Sequence, residues 1–297
     1  MIAVVGGANV DISGFSARPL IARDSNPGRI VLTPGGVGRN IASAVAALGE
    51  KTALVTALGA DANGDYLRAN CQNIDLSRAF VFSDARTSSY LCINDDTGDM
   101  ALAVNDMDIC ARLTPGALET RLDFLNAADL VILDANLPTE SYAYLAQNVR
   151  AKLAADPVSV SKAARLAPVL HRLALFKPNL IEAEALTGLT EKERGLDAIL
   201  DALLNLGVAR VFLTLGARGA YCASPLERIA LPCYNGVVRT TTGCGDAFLA
   251  AAAVGVLAGL PLEMCLRRAL AASAIRASGE IPRPSRIDQV VKDGGIK

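Results

Sequence analysis

An α/β fold, with a mostly parallel central sheet and helices on both faces, is what this 297-residue chain predicts, and three observations carry the prediction. Apolar strand-like runs alternate with helical stretches along most of the length. Two glycine-rich segments, Thr33-Pro34-Gly35-Gly36-Val37-Gly38-Arg39-Asn40-Ile41-Ala42 and Thr240-Thr241-Thr242-Gly243-Cys244-Gly245-Asp246-Ala247-Phe248, each stand directly before an apolar helix. Hydrophobic residues make up 52% of the chain, enough for a sheet buried on both sides.

The first strand is Ile2–Val5, a continuous apolar run. Further strands are read at 52–57, 129–134, 158–160, 174–177 and 209–214, and Gly236-Val237-Val238 reads as the end of another. Helices are read at 39–48, 64–73, 139–153, 162–172, 181–186, 196–206 and 247–260. Strands joined through helices in this way pair in parallel, and ligands of such sheets collect at the carboxyl ends of the strands. Residues 10–34 and 86–106 break the alternation with β-like segments and the turn clusters Asp24-Ser25-Asn26-Pro27-Gly28 and Asn94-Asp95-Asp96-Thr97-Gly98-Asp99. They predict a small antiparallel sheet inserted into one domain spanning 1–297.

Charge and composition narrow the function. With 29 basic and 30 acidic residues the net charge is −1, which offers no footprint for a nucleic-acid polymer or an anionic membrane. The longest apolar run, 247–262, is too short to span a bilayer and contains Gly255, Gly259 and Pro261. The N-terminus has no signal-peptide pattern, and a cytoplasmic protein is expected. Seven cysteines without a Cys-x-x-Cys pair read as buried, reduced thiols. A lone histidine, His171, excludes a multi-histidine metal site and speaks against a Ser-His-Asp triad, so a general base is expected to be a carboxylate. No Gly-x-x-x-x-Gly-Lys-Ser/Thr sequence occurs, and no Gly-x-Gly-x-x-Gly follows the first strand; P-loop and dinucleotide-binding folds are disfavoured accordingly.

The second glycine segment carries the chemistry. Gly243, Cys244 and Gly245 fall at a helix N-terminus, where amides lack partners and the macrodipole is positive, so the turn can hold an anion such as a transferring phosphate. Asp246 stands beside it as a proton acceptor. The same pattern also serves as a tight turn with Asp as its cap; the first glycine segment is what favours the phosphate. Cys244 counts here for its amide, although the helix terminus could also lower its thiol pKa.

In order, separation and position the two segments resemble the paired signatures of the ribokinase-like (PfkB) carbohydrate kinases, and the resemblance runs over nearly the whole chain. It implies a ribokinase-like fold in which the inserted sheet is a lid that closes over a sugar and excludes water. Gly7-Ala8-Asn9-Val10-Asp11 is similar to the family's Gly-x-x-Asn-x-Asp, which assigns Asn9 and Asp11 to sugar hydroxyls. A carboxylate suits that task by accepting two donors at once, though a strand-end turn would use the same residue. Gly35 and Gly36 would let backbone approach the sugar, with Asn40 on another hydroxyl. Arg39 replaces a small residue of the ribokinase pattern; its guanidinium can fork to a base carbonyl or a phosphate, or face solvent.

On the nucleotide side, Asn179 and Glu182 match an Asn-x-x-Glu element that would hold the water shell of a Mg²⁺ on ATP, and the spacing is also that of a capping box. Thr214, Gly216 and Gly219 lie in a turn similar to the one that carries ATP. The implied reaction has Asp246 taking the proton of a primary hydroxyl as it attacks the γ-phosphorus, with the amides of residues 243–246 and Mg²⁺ holding the developing charge. Thr240 stands where the family often has an aspartate, leaving a monovalent cation without its expected carboxylate.

Several segments look closer to the family's pseudouridine kinases than to its ribokinases or fructokinases: the turn at Asp24, the first glycine segment, Ser88-Ser89-Tyr90, Asn105-Asp106-Met107, and Asp156-Pro157-Val158-Ser159 with Lys162. They imply phosphorylation of a nucleoside 5′-hydroxyl and add Asp24, Tyr90, Asn105 and Lys162 to the substrate-binding residues. Asn94, Asn105 and Asp106 could meet the polar edge of a uracil-like base, or serve only the hairpin. A kinase for another nucleoside or a free sugar, and a nucleoside-binding protein without catalysis, are the other readings. In this family the lid edge often pairs across a dimer, which admits a homodimer through the lid and leaves the oligomeric state open.

Overall fold

In residues 1–296, which the computed structural model describes, the strands in chain order are β1 (Ile2–Val5), β2 (Asn9–Ser16), β3 (Gly28–Gly35), β4 (Thr52–Val55), β5 (Ala57–Gly59), β6 (Phe80–Phe82), β7 (Ser89–Asn94), β8 (Met100–Asp106), β9 (Leu130–Asp134), β10 (Lys152–Asp156), β11 (Leu173–Phe176), β12 (Val211–Thr214), β13 (Ala220–Ala223) and β14 (Arg228–Leu231). The large sheet has the order β14-β13-β12-β11-β10-β9-β1-β4. Its strands from β4 to β12 run parallel, and β13 and β14 extend it antiparallel at one edge.

Side chains alternate between two cores, one on each face of this sheet. Along β1, Ile2 and Val4 enter the core beneath helices Val37–Ala47, Cys244–Leu257 and Leu262–Ala277, whereas Ala3 and Val5 enter the opposite core with helices Thr139–Asn148 and Glu191–Asn205. Helix Cys244–Leu257 is buried along most of its length, and its alanines let neighbouring helices approach closely. Phe248 meets Phe212 edge-on at 6.3 Å between centroids, a contact worth about 0.5–1.5 kcal/mol beyond its buried area. That packing fixes the helix whose first turn carries Asp246.

Several elements differ from the sequence reading. The helix expected over 139–153 ends at Asn148, and Lys152-Leu153-Ala154-Ala155-Asp156 is a strand; no strand forms at 158–160. Alanine favours helix, but here Leu153 and Ala155 fill one core and Ala154 the other, so two-sided burial outweighs local propensity. The run 52–57 breaks at the buried Thr56 into β4 and β5, and β5 leaves the large sheet to pair with β6. Residues 162–172 become 3₁₀ from Ala164 onward around Pro168, which has no N–H to donate, and His171 is exposed there. Gly236-Val237-Val238 forms no strand: both valines are exposed. The last glycine segment's helix starts earlier than expected, at Cys244.

The small sheet has the order β3-β2-β7-β8. It is mixed rather than antiparallel throughout, since β2 and β7 run parallel between two antiparallel pairs. Register puts Thr33, Asp11, Tyr90 and Asn105 in one row across it and Leu32, Ile12, Leu91 and Val104 in the next. One face is therefore polar and the other apolar.

Candidate active site

The carboxyl ends of β1, β9, β10 and β11 converge on the two glycine segments. After β9, Asp134 is fully buried and its two oxygens accept from the amides of Gly7, Gly38 and Asn136 at 2.8, 2.8 and 3.0 Å and from Asn136 Nδ2 at 2.8 Å. Gly6 and Gly38 leave room for this: a Cβ on Gly6 would lie 2.5 Å from the Asp134 carboxyl, and one on Gly38 2.8 Å from Gly6. One helix N-terminus is thus occupied by the protein's own carboxylate. Burial pushes the Asp134 pKa up, and the donated hydrogen bonds oppose it.

The other helix N-terminus is left open. Gly243 is its cap, with φ 78°, and makes no side-chain capping bond. Asp246 is the third helical residue, not the cap. The Cys244 amide reaches back to the Thr241 carbonyl at 3.3 Å and the Ala247 amide to the Gly243 carbonyl at 3.0 Å, while among the described residues no backbone acceptor takes the amides of Gly245 and Asp246. Such amides are donors waiting for an anion. Arg276 braces the loop from outside by donating to the Thr242 carbonyl at 3.2 Å.

Asp246 is 7% exposed and accepts from Asn40 Nδ2 at 2.8 Å, so residues 206 positions apart join the two glycine segments. Burial, and next Asp156, raise its pKa to about 7; Lys177 and the Asn40 bond pull the other way. Lys177 is itself buried, paired with Asp156 at 2.7 Å. Its Nζ lies 3.0 Å from where a Cβ on Gly245 would sit, directly against the open loop. Burial works against its charge, yet Asp156, Glu182 and Asp246 together outweigh it and hold its pKa above the ordinary value. Burial likewise keeps the Cys244 thiol above its ordinary value, opposite to the lowering that a helix terminus alone would give.

A cleft of about 460 Å³ opens between the small sheet and these strand ends, lined by Asn9, Asp11, Gly36, Asn40, Tyr90, Asn105, Asn136, Val158, Ser159 and Lys162 among others. Asn9 Nδ2 donates to Asp11 Oδ1 at 2.6 Å. The Asp11 carboxylate sits over Gly35, whose absent Cβ would lie 2.3 Å from Oδ2. Lys162 Nζ donates to Asn136 Oδ1 at 2.7 Å, connecting the cleft to Asp134. Val158 holds φ at 66°, a strained state for a β-branched residue, costing about 1–3 kcal/mol and of a kind that gathers at functional sites.

Two expected substrate residues lie elsewhere. Asp24 is exposed in a turn that Asn26 holds, and it does not line the cleft. Arg39 neither forks into the cleft nor faces solvent freely: its donors go to the carbonyls of Pro34 and Gly35 and to Asn40 Oδ1.

At the nucleotide end, Asn179 and Glu182 form a reciprocal capping box at 2.8 and 2.9 Å. Thr214 adjoins them, its amide on the Pro178 carbonyl at 3.0 Å. Gly216 and Gly219 both take positive φ, and a Cβ on Gly219 would lie 2.0 Å from the Leu231 carbonyl. No group of three or more His, Cys, Asp or Glu side chains that could hold a metal exists among the described residues. Buried Glu182 with Asp156 and Asp246 nearby still leaves more acid than Lys177 neutralises. That balance fits a hydrated divalent cation bound through its waters and through phosphates, better than one caged by protein.

Asp134, Asn136, Asp156, Lys177 and Arg276 had no role in the sequence reading. The local sign of the first four was their place, each at or just after the carboxyl end of an apolar strand; Asp156 also opens the segment that resembles pseudouridine kinases.

The sequence pattern of the pfkB family carbohydrate kinases matches residues 1–285. The chain belongs to that family. It is 34% identical over 285 residues to the pseudouridine kinase of Escherichia coli K12, covering 94% of this chain and 91% of that protein. It is 26% identical over 282 residues to the guanosine-inosine kinase of Exiguobacterium acetylicum, covering 91% and 90%. Among solved structures, the ribokinase of Thermotoga maritima superposes with a TM-score of 0.86 at 25% identity over 98% of this chain and 99% of that one. This member of the pfkB family therefore has the ribokinase-like fold and is a phosphotransferase with an alcohol acceptor, and membership implies ATP as donor.

Proposed function

We propose that this kinase transfers the γ-phosphate of ATP to the 5′-hydroxyl of pseudouridine. The observation that carries the proposal is the Asn40–Asp246 hydrogen bond, which sets a buried carboxylate between a polar cleft and an unfilled helix N-terminus. Ribose hydroxyls meet Asn9 and Asp11, and the small sheet with Asn136 and Lys162 supplies donors and acceptors for a base that carries both. Asp246 takes the proton as the 5′-oxygen bonds to the γ-phosphorus and the bond to the bridging oxygen breaks, its electron pair leaving with ADP. The amides of Gly245 and Asp246, with the Lys177 ammonium beside them, face the phosphoryl oxygens. Glu182 would hold Mg²⁺ through water, and the ion would offset phosphate charge. A carboxylate with a pKa near 7 suits proton transfer at neutral pH and argues against a binder without catalysis.

The 34% identity to a pseudouridine kinase favours that nucleoside, and the likeness to a guanosine-inosine kinase keeps a purine nucleoside as the second reading. ATP consumption measured against pseudouridine, uridine, inosine, ribose and fructose is expected to be fastest with pseudouridine; preference for a free sugar contradicts the assignment. No helix among the described residues is long and apolar enough to cross a membrane, and the seven cysteines form no disulfide, which suits a reducing cytosol.

We further infer a homodimer through the small sheet. Ile30, Leu32, Leu91, Leu102 and Val104 expose 41–71% of their surfaces on its apolar face, more than a lone subunit usually leaves in water. Leu102→Lys is expected to give a monomer in sedimentation, and a wild-type monomer at micromolar concentration contradicts the pairing.

A further inference from the structure

We infer that Arg39 is a positioning residue for the catalytic base, acting through the side-chain amide of Asn40; the inference rests on reading Asp246 as that base. An asparagine amide has two unlike ends, and only its NH₂ end can donate to a carboxylate. In this structure the Arg39 guanidinium donates to Asn40 Oδ1, and Asn40 Nδ2 donates to Asp246 Oδ2 at 2.8 Å. The arginine therefore fixes which way the amide points. It is anchored by the carbonyls of Pro34 and Gly35 at the end of β3, the strand that backs Asp11, so one side chain ties the sugar-facing strand end to the base.

Without the guanidinium, Asn40 Oδ1 loses its donor and the amide can turn over, setting an oxygen against an acid. The Asp246 carboxylate would then swing from the line between acceptor hydroxyl and phosphate, and a displacement of about 1 Å costs on the order of 100-fold in rate. Two electrostatic effects run in the same direction. The Asn40 bond and the positive charge of Arg39 both favour ionised Asp246, against Asp156 and Asp134 on neighbouring strand ends and alongside Lys177. Removing Arg39 therefore moves the Asp246 pKa upward.

The test compares Arg39→Met, which keeps the apolar stem, with Arg39→Lys, which keeps a charge and a donor group without the planar fork. In Arg39→Met, kcat is expected to fall about 10- to 100-fold with little change in the nucleoside KM. The acid limb of the kcat/KM profile should move to higher pH, with partial recovery in Arg39→Lys and on adding guanidinium ion. A raised KM with kcat preserved would make Arg39 a substrate contact and overturn the inference, as would an unmoved acid limb. Carbon NMR titration of the Asp246 carboxyl without substrate supplies a second readout: an upward shift in either variant supports the role, and an unchanged titration refutes it. That measurement needs no acceptor. A slow pseudouridine rate in the unaltered enzyme would therefore count against the substrate assignment alone.

Discussion

The two helices that follow glycine-rich segments begin alike in sequence and differ in what fills their N-termini. At helix Val37–Ala47 the Gly38 amide is taken by Asp134, and the glycines are needed because protein atoms press on them: Asp11 on Gly35, the Gly7 carbonyl on Gly36 and Gly6 on Gly38. At helix Cys244–Leu257 no carboxylate enters. Among the described residues no backbone acceptor takes the Gly245 and Asp246 amides, and the nearest side chains to Gly243 and Gly245 are cationic, Arg276 and Lys177. A positive helix end that the protein has already neutralised is structural; one left open and flanked by cations is where a phosphate belongs. A glycine pattern alone does not distinguish the two.

Substitutions at each end should separate them, and the largest effect is expected at the open one. Asp246→Asn should lower kcat by about 1000-fold or more with substrate binding retained, and near-normal turnover would remove the base. It should also raise thermal stability at pH 8. The folded Asp246 pKa is raised to about 7 from 3.8, so its contribution is fully present below the unfolded value and is lost as pH rises through 7. An uncharged asparagine escapes that loss, a gain of about 2–4 kcal/mol, and unchanged melting at pH 8 would contradict it. The same group makes wild-type kcat/KM rise with pH through about 7.

Gly245→Ala would put a methyl 3.0 Å from Lys177 Nζ, inside the anion slot. A loss of about 10- to 100-fold in kcat with a higher ATP KM is expected, against a stability change within about 1 kcal/mol because alanine favours helix. At the filled end, Asp134→Asn should act in reverse, since an amide cannot accept all the bonds that carboxylate receives. Melting should drop by the equivalent of about 1–3 kcal/mol for each donor left unpaired, while kcat falls less than in Gly245→Ala. If Asp134→Asn instead abolished turnover in a stable protein, the contrast between the two ends would fail.

What the sequence made visible was local. Ile2–Val5, the helix after Gly36 and the strands of the small sheet follow from apolar runs and turn residues a few positions apart. Lys152–Asp156 escaped because its alanines favour a helix that tertiary burial overrides, and the exposed Val237 and Val238 carry a strand pattern with no sheet beside them. Asp246 and Asp11 could be chosen because each stands within a recognisable motif. Asp134 could not: its partners Gly7 and Gly38 lie 127 and 96 positions away, and only topology brings them together. Lys177 is paired with Asp156 across adjacent strand ends for the same reason. Arg39 was visible as an odd residue in a glycine segment, but its partners decide its role.

A crystal structure with a non-hydrolysable ATP analogue and pseudouridine tests the central claim most directly. The terminal phosphate is expected in hydrogen-bond contact with the Gly245 and Asp246 amides, and the 5′-hydroxyl against the Asp246 carboxylate. A terminal phosphate bound at the first glycine segment, or an Asp246 that no substrate hydroxyl reaches, would contradict it.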